Sequence, residues 1–111
     1  MPEHVLGPGT MLVMICETPL AERLTSILDE LSVVGYTRFS GVSGIGAHGR
    51  HEGSAVWPGT NTIIMTLVSD DSMVEAILRR NDEMIEELYA HRPGYRAFSM
   101  PCNALAQDRR R

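Results

Sequence analysis

The sequence is short of aromatic residues and cysteine, and it has no long apolar run. Six of its 111 residues are aromatic and two are cysteine. The longest apolar run, residues 11–16, falls far short of the ~20 residues that a membrane helix requires. No charged-then-apolar leader precedes it, so a cytoplasmic protein is expected. Cys16 and Cys102 both fall in predicted strands and read as reduced core residues rather than a disulfide framework.

Concentrated positive charge is also missing. The net charge is −4, and the basic cluster formed by Arg109, Arg110 and Arg111 reads as a solvated tail. A nucleic-acid binder needs a basic face, and that class is set aside. There is no internal repeat, nucleophile elbow, dinucleotide fingerprint, P-loop or carboxylate pair in a plausible pocket context. Catalysis is therefore not expected, and a binding protein is.

What is present suits one globular domain: 43% hydrophobic and 22% charged residues in a chain long enough for a single core. Residues 1–9 end in Gly7, Pro8 and Gly9 and read as a loose leader. A first strand is predicted over 10–16, apolar on both faces. Thr18 before Pro19 signals a helix start. Leu20, Leu24, Ile27, Leu28 and Leu31 then form one stripe, and Gly35 ends the helix.

Residues 36–43 carry strand formers, with Gly41 marking a bulge. A third strand is predicted over 62–68. Ser69, Asp70, Asp71 and Ser72 open a second helix whose apolar positions are Met73, Val74, Ile77, Leu78, Met84, Ile85 and Leu88. Glu75, Arg79, Glu83 and Glu87 line its solvent face. Pro93 and Gly94 stop that helix, and residues 96–102 form a fourth strand, with Pro101 at an edge or strand end.

The order β-α-β-β-α-β predicts an α+β, ferredoxin-like fold: an antiparallel sheet with two helices on one face. The other sheet face is left bare, yet strands one and three are apolar on both sides. That face is expected to be buried against further copies in a closed homo-oligomer, a trimer being favoured.

Residues 41–61 connect the second and third strands, and a connection of roughly 15–20 residues in so small a domain points to function. They hold six of the ten glycines, two of the four histidines and the lone tryptophan. Gly44, Ile45 and Gly46 suit a close backbone approach to an anion, or simply the base of a hairpin. His48, Arg50 and His51 either face an anion, hold a soft metal, or are solvated. Trp57 either stacks on a base, docks on a partner, or folds back on its own stem or the adjacent subunit.

The chain resembles the divergent, PII-like branches of the PII signal-transduction superfamily over about residues 10–102. The resemblance rests on the element order, on Gly35-Tyr36-Thr37 opening the second strand, on Gly44-Ile45-Gly46 at the root of a long loop, and on Ser69-Asp70-Asp71 starting the second helix. It implies a homotrimer whose inter-subunit clefts bind adenine nucleotides. It also implies a T-loop, about 44–61, that docks on a membrane transporter or an enzyme.

Under this resemblance Thr37 lies near the base and Gly44, Ile45 and Gly46 pass along the nucleotide. Arg96 stands where the family has a phosphate-binding lysine, and Phe98 matches an aromatic of the same strand. The domain would span 10–105, with 106–111 a tail. Ala47-His48-Gly49 follows the Gly-x-Gly where the family has Arg-Gln-Lys, and Arg92-Pro93-Gly94-Tyr95 replaces its Gly-Asp-Gly. ADP or AMP is therefore expected over ATP, and with no tyrosine in the loop, uridylylation is not. Similar proteins accompany bicarbonate transport, and Arg50, His48 and His51 would neutralise bicarbonate beside the nucleotide. No cofactor or resident metal is expected. The alternatives are a CutA-like trimer binding metal through His48 and His51 with help from Cys or Met side chains, and an interaction module anchored by Trp57.

Overall fold

The computed structural model describes residues 7–43 and 60–106. Six elements follow in order: β1 (Gly7–Glu17), α1 (Thr18–Glu30), β2 (Thr37–Val42), β3 (Asn61–Val68), α2 (Asp71–Leu88) and β4 (Tyr95–Ala104). The strands form one antiparallel sheet in the order β2-β3-β1-β4. Both helices cover one face of it, as the ferredoxin-like pattern requires.

Alternation explains the core. On β1, Leu12, Met14 and Cys16 point toward the helices and are buried. On β3, Thr62, Ile64, Thr66 and Val68 do the same. Helix α1 contributes Leu20, Ala21, Leu24, Ile27 and Leu28, and α2 contributes Ile77 and Ile85. The buried hydroxyls are satisfied: Thr62 Oγ1 shares a hydrogen bond with Thr18 Oγ1 at 2.9 Å, and Thr66 Oγ1 donates to the Gly35 carbonyl at 2.5 Å. Glu75, Arg79, Glu83 and Glu87 are exposed, in keeping with a solvated face.

Several boundaries differ from the sequence reading. Strand β1 starts at Gly7, so Gly7, Pro8 and Gly9 are not leader: they pair with Ala104, Asn103 and Cys102. A side chain at Gly9 would press against the Val68 carbonyl at 3.0 Å, which explains glycine in a strand there. Thr18 does not cap α1. Glu17 holds the N-cap position without a side-chain cap bond, while the Thr18 hydroxyl turns to Thr62.

Helix α1 ends at Glu30, ahead of Gly35, through Ser32 at φ 60°, and its last turn closes with the Leu31 and Val33 amides bonding to the Ile27 and Leu28 carbonyls. Helix α2 ends at Leu88, before Pro93 and Gly94, which leaves Leu88 49% exposed. Its start follows expectation: Asp70 Oδ1 accepts from the Ser72 amide at 2.9 Å. Gly41 does sit at a bulge, at φ 73° where the β2–β3 register shifts between Ser40 and Val42. Strand β4 lies at the sheet edge, where Pro101 costs no ladder bond on the open side.

Candidate functional site

The sheet face away from the helices is continuous and apolar. Register aligns its side chains into rows: Phe39, Ile63, Ile15 and Arg96 in one, Thr37, Met65, Val13 and Phe98 in the next, then Leu67, Met11 and Met100. Phe39, Leu67, Phe98 and Met100 are exposed in the single chain. Cys102 belongs to this face as well, and is half-buried rather than a member of the helix-side core; Cys16 does lie in that core.

Three of the sequence-derived site residues are described, and all three lie on this face. Arg96 and Phe98 are on edge strand β4, and Thr37 is on the opposite edge strand β2. Three interstrand spacings separate the edges, roughly 14 Å. Within one chain the face therefore brings Arg96 and Phe98 together and keeps Thr37 apart. Gly44, Ile45, Gly46, His48, Arg50, His51 and Trp57 lie outside the described residues, as do Arg109, Arg110 and Arg111.

The approaches to β4 and β3 are fastened at the end of β1. The Glu17 amide donates to the Gly94 carbonyl at 3.0 Å, and Glu17 Oε2 accepts from the Gly94 amide at 2.5 Å. The next amide, of Thr18, donates to the Thr60 carbonyl at 2.7 Å. From α2, Asn81 Nδ2 donates to the Tyr95 hydroxyl at 3.0 Å and approaches Met14 Sδ at 3.3 Å. Glu17, Asn81 and Tyr95 were missed in the sequence reading. Asn81 did leave a signal, because it falls midway between Ile77 and Ile85 at the spacing of the buried stripe.

On the opposite, helical side, a groove of about 550 Å³ between α1 and α2 is lined by Glu22, Arg23, Glu30, Arg80, Glu83 and Glu87, among others, with Arg80 paired to Glu30. It shares no residue with the sheet face. That ion pair is exposed, so it contributes little to stability.

Burial pushes the Cys16 thiol up from 9.0 to about 11, with Arg38 opposing and Glu17 adding to the rise. The Tyr95 hydroxyl is raised chiefly by burial too, while the Asn81 hydrogen bond lowers it in part. Both groups keep their protons longer folded than unfolded. The Cys16 contribution to stability is complete below pH 9.0 and is lost as pH rises through about 11; the Tyr95 contribution is lost in the same direction, as pH rises. Urea midpoints measured at intervals from pH 7.5 upward are expected to be level at first and to fall above about pH 9, with a shallower fall in Cys16→Ala. A level midpoint through pH 11 would contradict this assignment.

The family model of the nitrogen regulatory protein P-II matches residues 10–109. The chain belongs to that family. The solved structures fit this membership. CPII, a nitrogen regulatory PII-like protein from Thiomonas intermedia, bound to ADP, AMP and bicarbonate, is 24% identical with a TM-score of 0.66, over 86% of this chain and 91% of that one. CPII bound to ADP, AMP and acetate is 25% identical with a TM-score of 0.62, over 86% and 89%. A PII-like signalling protein from Thermus thermophilus is 22% identical with a TM-score of 0.57, over 89% and 91%. No curated protein matches the chain.

The protein is thus a divergent PII-like regulatory protein. All ten of its Lys and Arg residues are arginine. No helix among the described residues is long and apolar enough to cross a membrane.

Proposed function

We propose that this PII-like protein assembles as a homotrimer, binds ADP and AMP in preference to ATP in clefts between subunits, together with bicarbonate or a similar small anion, and signals through residues 44–61 to a transporter or enzyme. A cytoplasmic location goes with this reading. The observation that carries it is the separation of Thr37 from Arg96 and Phe98 across one apolar face. Thr37 and Phe98, roughly 14 Å apart and projecting side by side from one sheet face, cannot both flank one base. Two copies meeting edge to edge can, with β2 of one beside β4 of the next, and the same meeting would cover the apolar face.

The chemistry of the described residues suits a nucleotide. Arg96 is exposed and carries a guanidinium fork able to hold phosphate oxygens in pairs. Phe98, two residues along the same edge, offers a ring to stack on a base. Complexes of CPII with ADP, AMP and bicarbonate support the choice of ligands. Gly44, Ile45 and Gly46 would complete the phosphate contacts, and His48, Arg50 and His51 would meet the anion. Trp57 would face the regulated partner.

Calorimetry with AMP, ADP and ATP, each with and without bicarbonate, tests the reading. ADP and AMP are expected to bind more tightly than ATP, and bicarbonate to tighten one of them. Arg96→Ala is expected to weaken ADP roughly 10- to 30-fold, the loss of one charge-assisted contact. No heat with any nucleotide would refute the reading.

A further inference from the structure

We infer that Glu17 and Thr18 form a joint through which the loop entering β4 and the stem of the long loop hold each other in position, making Glu17 a positioning residue for Arg96. The inference rests, in its ligand-dependent part, on the nucleotide reading above. Its structural part stands on four contacts made by two consecutive residues.

Glu17 grips Gly94 twice, by its amide at 3.0 Å and its carboxylate at 2.5 Å. Gly94 precedes Arg96 by two residues, about 7 Å along a strand. Thr18 grips the other side, its amide on the Thr60 carbonyl at 2.7 Å and its hydroxyl on that of Thr62 at 2.9 Å. Thr60 is the last residue before β3. The two neighbours of β1, β3 on one side and β4 on the other, are therefore entered through bonds to adjacent residues at one strand end.

A planar peptide unit joins residues 17 and 18, so turning one reorients the other. Pro19 follows at the start of α1 and restricts the backbone beyond the joint. The Glu17 carboxylate has the N-cap position within reach but makes no cap bond there. Its oxygen is instead committed to Gly94, as a charge-assisted acceptor of a backbone amide. Thr62 is fully buried, so its hydroxyl has no exchange with bulk water to replace Thr18.

The test perturbs one side and reads the other, by amide hydrogen exchange on the full ligand-free chain. Thr62→Val removes a hydroxyl on the β3 side with little change of volume. It is expected to speed exchange at the Gly94 amide about fivefold, the equivalent of one net hydrogen bond, with Leu24 and Leu28 amides unchanged. Thr62→Ser, which keeps the hydroxyl, is expected to restore the Gly94 rate. A Gly94 rate unmoved by Thr62→Val would overturn the joint.

Should Thr62→Val loosen every amide, Glu17→Gln probes the joint from the other side. Faster exchange at Thr18 with α1 intact supports it, and an unchanged Thr18 rate overturns it. In a parallel titration Glu17→Ala is expected to weaken ADP about tenfold, the effect of losing a charge-assisted bond that positions Arg96. If the unsubstituted protein binds no ADP, the nucleotide reading fails while the exchange result still decides the joint.

Discussion

Val13→Glu is expected to leave the protein monomeric at micromolar concentration and to weaken ADP binding by at least about 100-fold. Val13 lies mid-face, between Met65 on β3 and Phe98 on β4. It points away from the helix-side core that holds Leu12 and Met14, so the folded chain can present a carboxylate there to water. Once a second copy covers the face, that carboxylate loses its hydration without gaining a partner, a cost of several kcal/mol. A penalty of about 3 kcal/mol already shifts an equilibrium by more than 100-fold. On the proposed reading, binding falls with assembly because Thr37 and Arg96 occupy opposite edges and would meet between copies. Light scattering, calorimetry and circular dichroism on the same sample separate the effects. A Val13→Glu protein that stays oligomeric, or a folded monomer that binds ADP normally, contradicts the shared cleft. Leu67→Glu, near the end of the face, is expected to show a smaller loss.

The architecture was legible because each element carries a periodic signal strong enough to survive its surroundings. Leu20, Leu24, Ile27 and Leu28 are the buried stripe of α1, as their spacing indicates. The doubly apolar strands β1 and β3 indicate a second apolar face, and register aligns Met11, Val13, Ile15, Ile63, Met65 and Leu67 on it. Element ends were read less well, since tertiary contacts decide them. Thr18 has the chemistry of a cap, yet its hydroxyl is drawn to Thr62, 44 residues away. Ser32, not Gly35, adopts the left-handed backbone after α1. The pairing of Gly7 with Ala104 turns a turn-rich leader into strand, which no local pattern foretells.

For the candidate site the same division holds. Arg96 and Phe98 were identified through a family resemblance, and alternation then explains why both point away from the helices on one edge. Glu17 was missed because its role depends on Gly94, a contact 77 residues apart in sequence. A glutamate at a strand end reads as solvated until the partner amide is known.

Asn81 supplies the other large effect. It is fully buried within α2, with Ile77 and Ile85 one turn to either side, and its Nδ2 is engaged by Tyr95 and Met14 while its Oδ1 has no hydrogen-bond partner among the described residues. Asn81→Asp keeps the shape and introduces a group that ionises. In that setting desolvation would raise the carboxyl pKa by about 3 units, equivalent to about 4 kcal/mol of lost stability at pH 7. The native state would then bind the proton that the unfolded chain releases, so stability falls as pH rises above about 4 and is largely recovered below it. Urea unfolding of the Asn81→Asp protein is therefore expected to approach the parent near pH 4 and to fall well behind it at pH 7. Asn81→Leu removes the charge question and the unpartnered Oδ1, keeps the branched shape in a larger side chain, leaves the Tyr95 hydroxyl to find water, and is expected to cost about 1 kcal/mol at any pH in that range. An Asn81→Asp deficit that does not change with pH would mean that the carboxylate reaches solvent, and that α2 is not sealed against the start of β4 at this point.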